Sequence, residues 1–244
     1  MLKCYYMDLE SDCSEEQSLV LYKTLLPDRK DKVDRLKNID MKKKQILTSA
    51  FLQYVLSACL NIPIKDIRFN YNSYGKPSID MSDIYFNMSH SGSYVIVAIS
   101  DHPVGVDVER RRNDRIGVAK RCFCKEEYEY ITGGGDKDEV LDRFLLYWTM
   151  KEAYVKYIGM GLAVPLNSFK IIYDNEDCYR IDAGDEPYNG VYEMKKDVLL
   201  TSFRLDLEYR FSICCERGCL NDYKETKYSV LDTNKVELNA LFGA

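Results

Sequence analysis

Histidine is almost missing from this chain: there are two in 244 residues, His90 and His102, and tryptophan occurs once, at Trp148. Two histidines cannot supply a histidine-rich metal centre. The nine cysteines do not fall into the paired spacings that zinc needs, the only close groups being Cys122-x-Cys124 and the trio Cys214, Cys215 and Cys219. An odd count with two neighbours side by side also argues against a disulfide framework, so reduced thiols within a core are expected. Long apolar runs are absent too. Tyr94–Ile99 is among the longest, far short of the roughly 18 residues of a membrane span, and the first residues carry acids where a secretory signal needs bases. A cytoplasmic protein that does not enter a membrane is expected. Nor is there an excess of base. Acids outnumber bases 39 to 34, a net charge of -5, which argues against a general nucleic-acid binder and confines any anionic partner to a local basic patch.

What is present is enough apolar residue, 46%, to bury one substantial core or two smaller ones of about 100 residues each. Leu2–Met7 reads as a strand. Leu19–Leu26 and Asp28–Asn38 read as helices on either side of Pro27, which suits a first helical position. From Asp40 to Leu60 apolar residues return with helical spacing up to a stop at Pro63. Ile67–Tyr71, Ser78–Ile79, Tyr85–Met88, Tyr94–Ser100 and Val104–Glu109 read as strands separated by turn residues. Ile116–Tyr130 and Leu141–Ile158 are helical in pattern, broken by Gly133-Gly134-Gly135, and a strand-rich remainder follows. The aromatic and β-branched runs at 93–100 and 209–216 sit in comparable surroundings. An α+β chain of two similar lobes is expected, 1–102 and 103–244, with a pocket where they meet.

Asp107 and Glu109 are two residues apart in Gly105-Val-Asp-Val-Glu109. On a strand both carboxylates leave one face while Val106 and Val108 pack behind, presenting two hard oxygen ligands of the kind magnesium shares with phosphate. Taken alone, such a pair is more often a solvated strand end. Trp148, Glu152 and Lys156 are spaced by four and share one helix face. Glu152 is thereby placed to bind metal or accept a proton and Lys156 to neutralise phosphate charge; the bland alternative is a surface ion pair. Asn87-Met-Ser89-His90-Ser91-Gly92 offers hydroxyls and an imidazole to a diphosphate, though Ser89 and His90 point to opposite sides of a strand and do not make a nucleophile and base. Tyr74-Gly75-Lys76-Pro77 places a cation in a tight turn and lacks the second glycine and the hydroxyl of a Walker A loop.

Taken in order, Gly75-Lys76-Pro77, Asn87-x-Ser89-His90-Ser91, Gly105-Val-Asp107-Val-Glu109 and Trp148-Thr-x-Lys-Glu152-Ala-x-x-Lys156 resemble the motifs of the surfactin-type 4'-phosphopantetheinyl transferases. The resemblance runs motif by motif over residues 75–162 and by general layout elsewhere. It implies a magnesium-dependent enzyme that moves the phosphopantetheine arm of coenzyme A onto a serine of an acyl or peptidyl carrier protein and releases 3',5'-ADP. Asp107, Glu109 and Glu152 would be the magnesium ligands. Glu152 would also take the serine proton, with Lys156 at the phosphate. Lys76, Pro77, Ser89 and His90 would surround coenzyme A, and Arg29, Lys32 and Lys44 are the best matches for the cations at its 3'-phosphate. Those last three could equally be a solvated helix face.

Between Arg110 and Lys125 seven bases face the single acid Asp114. Beside the carboxylates, such a stretch would steer an acidic carrier protein; a charged rim with no partner is the alternative. A monomer is expected, since one chain supplies both lobes. Two rivals keep the motifs but not the reaction: a non-catalytic coenzyme A or carrier-binding module, and a phosphohydrolase that cleaves coenzyme A with water. The choice among fatty acid, polyketide and nonribosomal peptide carriers is not written in these residues.

Overall fold

The computed structural model of the chain describes residues 2–80, 83–175, 178–183, 197–217 and 231–243. Cys219 lies outside them, as does the side chain of Arg115. Strand β1 (Leu2–Asp8) leads to α1 (Glu15–Thr24), opened by a capping box in which Ser14 and Gln17 satisfy each other's backbone N–H. Helix α2 (Pro27–Asp34) starts on its proline, and α3 (Ile39–Leu60) is capped by the Asn38 side chain and ends at Asn61 in the left-handed region, before Pro63 is reached. The short hairpin of β2 (Phe69–Tyr71) and β3 (Pro77–Ile79) precedes β4 (Tyr85–Ser91), β5 (Tyr94–Ser100) and β6 (Val104–Arg110).

The helix expected over Ile116–Tyr130 is not continuous. A 3₁₀ turn (Asn113–Val118) runs into α4 (Ala119–Cys122), and α5 (Lys125–Thr132) begins only after Phe123 and Cys124 have become extended. Burial of Phe123 explains the break: its ring packs edge-on against Phe144 and Tyr147, which a straight helix would not allow. Helix α6 (Lys137–Ile158) starts a turn earlier than its apolar pattern, because Asp136 caps the N–H groups of Asp138 and Glu139. Strands β7 (Lys170–Asn175), β8 (Cys178–Asp182), β9 (Val198–Arg204), β10 (Tyr209–Glu216) and β11 (Leu231–Lys235) follow.

Two larger sheets result, ordered β11-β1-β5-β4 and β6-β10-β9-β8-β7. Each has a 22-residue helix against it, α3 and α6. The two similar runs are β5 and β10, an inner strand of each sheet. Alternation divides their side chains. Val95, Val97 and Ile99 join the core under α3, while Ile96 and Ala98 meet Val104, Val106, Val108, Phe211 and Ile213 in a core shared between the sheets. Tyr94 and Tyr209 meet edge to face there, 4.8 Å between centroids. The fold is α+β, with two lobes joined by this common core. The chain then crosses back: β11 runs parallel to β1, and Leu238 and Leu241 enter the core under α3.

Candidate active site

The valines of β6 face the shared core, so Gly105, Asp107 and Glu109 face the other way, toward α6. Gly105 permits the approach: a Cβ there would collide with the backbone of Ala153 and Tyr157 in α6. Across the ladder, Cys214, Ser212 and Arg210 of β10 are in register with Gly105, Asp107 and Glu109. Helix α6 is held onto this surface by the Thr149–Ser212 hydroxyl pair at 2.7 Å and by Asp142, which takes Arg210 at 3.1 Å and Arg204 at 2.8 Å.

Strands β4 and β6 are edges of different sheets, and side chains stitch them together. Asn87 Oδ1 accepts the Val106 N–H at 2.8 Å; the Ser89 hydroxyl donates to Asp107 Oδ1 at 2.8 Å; the Ser91 hydroxyl donates to Glu109 Oε2 at 2.7 Å and accepts the Arg110 N–H at 3.1 Å. The Asn-x-Ser-x-Ser alternation thus matches the Asp-x-Glu alternation opposite. Asn87 and Ser91, expected only as part of a segment lining a diphosphate, bridge the two strands instead, and that shared period of two is the signal that marks them.

Lys156 of α6 reaches the same place. Its Nζ is 2.6 Å from Asp107 Oδ1 and 2.8 Å from Ser89 Oγ. Asp107 is 4% exposed and its Oδ2 is buried with no hydrogen-bond partner among the described residues. Burial raises its pKa, with the Glu109 charge adding and Lys156 and Ser89 opposing. His90, on the face of β4 shared with Phe86 and Met88, is exposed at the strand's end, yet desolvation by its surroundings lowers its pKa, with Lys156 adding and Glu109 opposing.

Asp107, Glu109, Ser89 and Lys156 are therefore brought together. Glu152 is half-buried one turn before Lys156. As the side chains stand, no three His, Cys, Asp or Glu groups among the described residues form a metal-holding cluster. The orphaned Oδ2 is nevertheless what a hard cation would satisfy, and the carboxylates are the donors magnesium takes.

The remaining expected residues lie further off. Lys44 of α3 donates to the Gly92 carbonyl at 3.2 Å, at the turn after Ser91. Lys32 stands over the Tyr71 ring, and Arg29, 2% exposed, stacks on Phe69 with its Nε 3.3 Å from Asp28. Lys76 directs its ammonium at the end of α6 instead of the carboxylates, and Pro77 opens β3.

Lys151, one residue before Glu152, faces inward and is fully buried. Its ammonium donates to Glu127 at 2.9 Å and to the Leu166 carbonyl at 2.7 Å, over the Phe169 ring. Glu127 in turn accepts the Ile171 and Cys124 N–H groups.

The first part of the chain, residues 12–102, matches the family model described as 4'-phosphopantetheinyl transferase, N-terminal, and residues 103–214 match that of the 4'-phosphopantetheinyl transferase superfamily. Among curated proteins the chain is 30% identical over 214 residues to 4'-phosphopantetheinyl transferase Sfp of Bacillus subtilis, covering 87% of this chain and 92% of that one. It is 33% identical over 210 residues to 4'-phosphopantetheinyl transferase gsp of Aneurinibacillus migulanus, covering 85% and 83%. A mouse L-aminoadipate-semialdehyde dehydrogenase-phosphopantetheinyl transferase is 28% identical over 207 residues, 75% of this chain and 67% of its own. With three of the four motifs meeting where β4, β6 and α6 come together and relatives matching along most of its length, the chain belongs to the surfactin-type 4'-phosphopantetheinyl transferases.

Proposed function

We propose that the cleft between β4, β6 and α6 is where the phosphopantetheine arm of coenzyme A passes to a carrier protein, and that Asp107, Glu109, Glu152 and Lys156 carry the step. The chain is a transferase that moves this arm to a carrier serine. The serine oxygen forms a bond to the β-phosphorus of coenzyme A, the bond from that phosphorus to the departing 3',5'-ADP breaks, and the serine proton goes to a base.

The observation that carries the site assignment is the buried, partnerless Oδ2 of Asp107 beside Glu109. Asp107, Glu109 and Glu152 would hold magnesium, which when bound supplies positive charge to the diphosphate oxygens. Lys156, 28% exposed, can exchange Asp107 for the phosphate and balance the charge that develops there. Glu152, on the same helix face, takes the serine proton. Ser89 and His90 line the coenzyme A side with Pro77. Lys44 lies by the neighbouring turn, and Lys32 and Arg29 extend the cationic side toward the 3'-phosphate.

The carrier docks on the stretch Arg110–Lys125. Arg110 and Arg111 are turned to Glu208 and Asp138, both at 2.9 Å, Lys125 is near Glu129, and Arg112, Lys120 and Arg121 are further exposed cations that would meet an acidic partner. A single chain supplies both sides of the cleft, in keeping with a monomer. Cys4, Cys13, Cys59, Cys122, Cys124 and Cys214 are free thiols, in keeping with a reducing cytoplasm. No helix among the described residues is long and apolar enough to cross a membrane.

The test is 3',5'-ADP release from coenzyme A with magnesium, with and without an apo-carrier domain. Release that requires the carrier is expected; equal release without it would convert the reading to a phosphohydrolase.

A further inference from the structure

Strands β4 and β5 are joined by the turn Gly92–Ser93, with Ser91 paired to Tyr94 across it. Three elements hold its backbone. The Gly92 carbonyl accepts from Lys44 Nζ of α3 at 3.2 Å, the Ser93 carbonyl accepts the Leu9 N–H at 2.6 Å, and the Ser93 N–H donates to the Tyr209 hydroxyl at 2.9 Å. Tyr209 is the first residue of β10, so this last hold comes from the other sheet. The residue is 5% exposed, and a phenol so buried needs a partner for its oxygen. Gly92 lets the contact form. Its φ is 57°, where a side chain is strained, and a Cβ there would collide with Tyr209 Oη.

The same turn fixes Ser91. Its hydroxyl donates to Glu109 Oε2 at 2.7 Å and accepts at 3.1 Å the N–H of Arg110, the residue opposite Tyr209 in the β6–β10 ladder. Tyr209 thus grips the chain two residues beyond the serine that orients the Glu109 carboxylate. We infer that Tyr209 is a positioning residue for the transfer: through the Gly92–Ser93 turn it sets Ser91, and Ser91 sets Glu109 for magnesium. The inference rests on the metal reading of the site given above. Removing a group that orients a metal ligand weakens metal binding by about 10- to 100-fold. Tyr209 stands one contact further out than Ser91, so its loss weakens binding less.

The probe is manganese, a paramagnetic substitute for magnesium, titrated by electron paramagnetic resonance into the protein with coenzyme A and no carrier. Tyr209→Phe keeps the ring against Tyr94 and removes the acceptor of the Ser93 N–H. It is expected to weaken manganese binding about threefold or more, and to raise by the same factor the magnesium needed for half-maximal transfer while kcat at saturating magnesium stays at the wild-type value. Amide hydrogen exchange at Ser93 should quicken about tenfold. Ser91→Ala should weaken manganese binding about tenfold, and adding Tyr209→Phe to it should cost nothing further. Wild-type manganese affinity in Tyr209→Phe, whatever its thermal stability, would overturn the inference, as would unchanged exchange at Ser93 or an effect of Tyr209→Phe that persists in full on Ser91→Ala. Should Tyr209→Phe fail to fold, wild-type manganese affinity in Ser91→Ala overturns it alone. A wild type that leaves the carrier unmodified while these manganese differences hold would sink the transferase reading, whereas intact transfer without the differences would sink the role of Tyr209.

Discussion

Asp107 meets two opposed demands: the alternation of β6 buries it, and a buried carboxylate needs a cation. Lys156 answers one oxygen and leaves the other without a partner among the described residues. Asp107→Ala is therefore expected to abolish transfer while the protein stays folded, as measured by carrier modification and thermal unfolding together. Near-normal activity in excess magnesium would contradict the metal assignment. Glu152 differs, since it is cast as ligand and base. Glu152→Gln should lower kcat by about a hundredfold or more, with at most partial recovery as magnesium is raised. Lys151 is a third case. A neighbour in the same motif, it points inward to Glu127, and Lys151→Met should cost about 3–5 kcal/mol by leaving that carboxylate buried without its cation. Denaturant unfolding reads this directly, and adding Glu127→Gln should restore part of it. That Asp107 and Glu109 share one strand face, and Glu152 and Lys156 one helix face, could be read from spacing alone, because faces of strands and helices repeat. The role of Lys151 could not, because nothing in the sequence says what packs on the other side of the helix.

Helix α6 bears the proposed catalytic pair Glu152 and Lys156 and is fastened at both ends, by Arg204 and Arg210 on Asp142 and by Asn72 and Lys76 on its last carbonyls. Burial pushes the Lys76 pKa down to about 8, from 10.5 for a free lysine. Between those values the unfolded chain holds more proton than the folded one, so this group makes unfolding free energy rise with pH. The cost of burying its charge is complete below pH 8 and fades toward 10.5. Unfolding of wild type and Lys76→Met from pH 7 to pH 10 should show the wild type gaining relative to the variant, and parallel curves would contradict the burial of a charged Lys76. Long helices and strands were legible from their periodicity, α3 and α6 to within a turn. The break at Phe123 was not, since it follows from rings of Phe144 and Tyr147 more than twenty residues away. Nor was the return of β11 to β1, a pairing of the two chain ends that local pattern does not encode.

Across the molecule, charge is arranged against the net sign. The protein is acidic, yet Arg112, Lys120 and Arg121 stand exposed just beyond the carboxylates. Reversing these three to glutamate should raise KM for the carrier far more than KM for coenzyme A, and the difference should shrink at high salt. Equal effects on both substrates would assign the stretch to the nucleotide side. The two lobes were legible as similar runs in the sequence, but their joint core and the stitching of β4 to β6 by Asn87, Ser89 and Ser91 appear only once the two sheet edges are side by side. What that arrangement is for can be measured in one experiment: the intact mass of an apo-carrier domain after incubation with the protein, coenzyme A and magnesium. The account predicts a gain of one phosphopantetheine arm on the carrier serine with wild type and none with Asp107→Ala. An unmodified carrier with coenzyme A consumed, or with coenzyme A bound and intact, would contradict it.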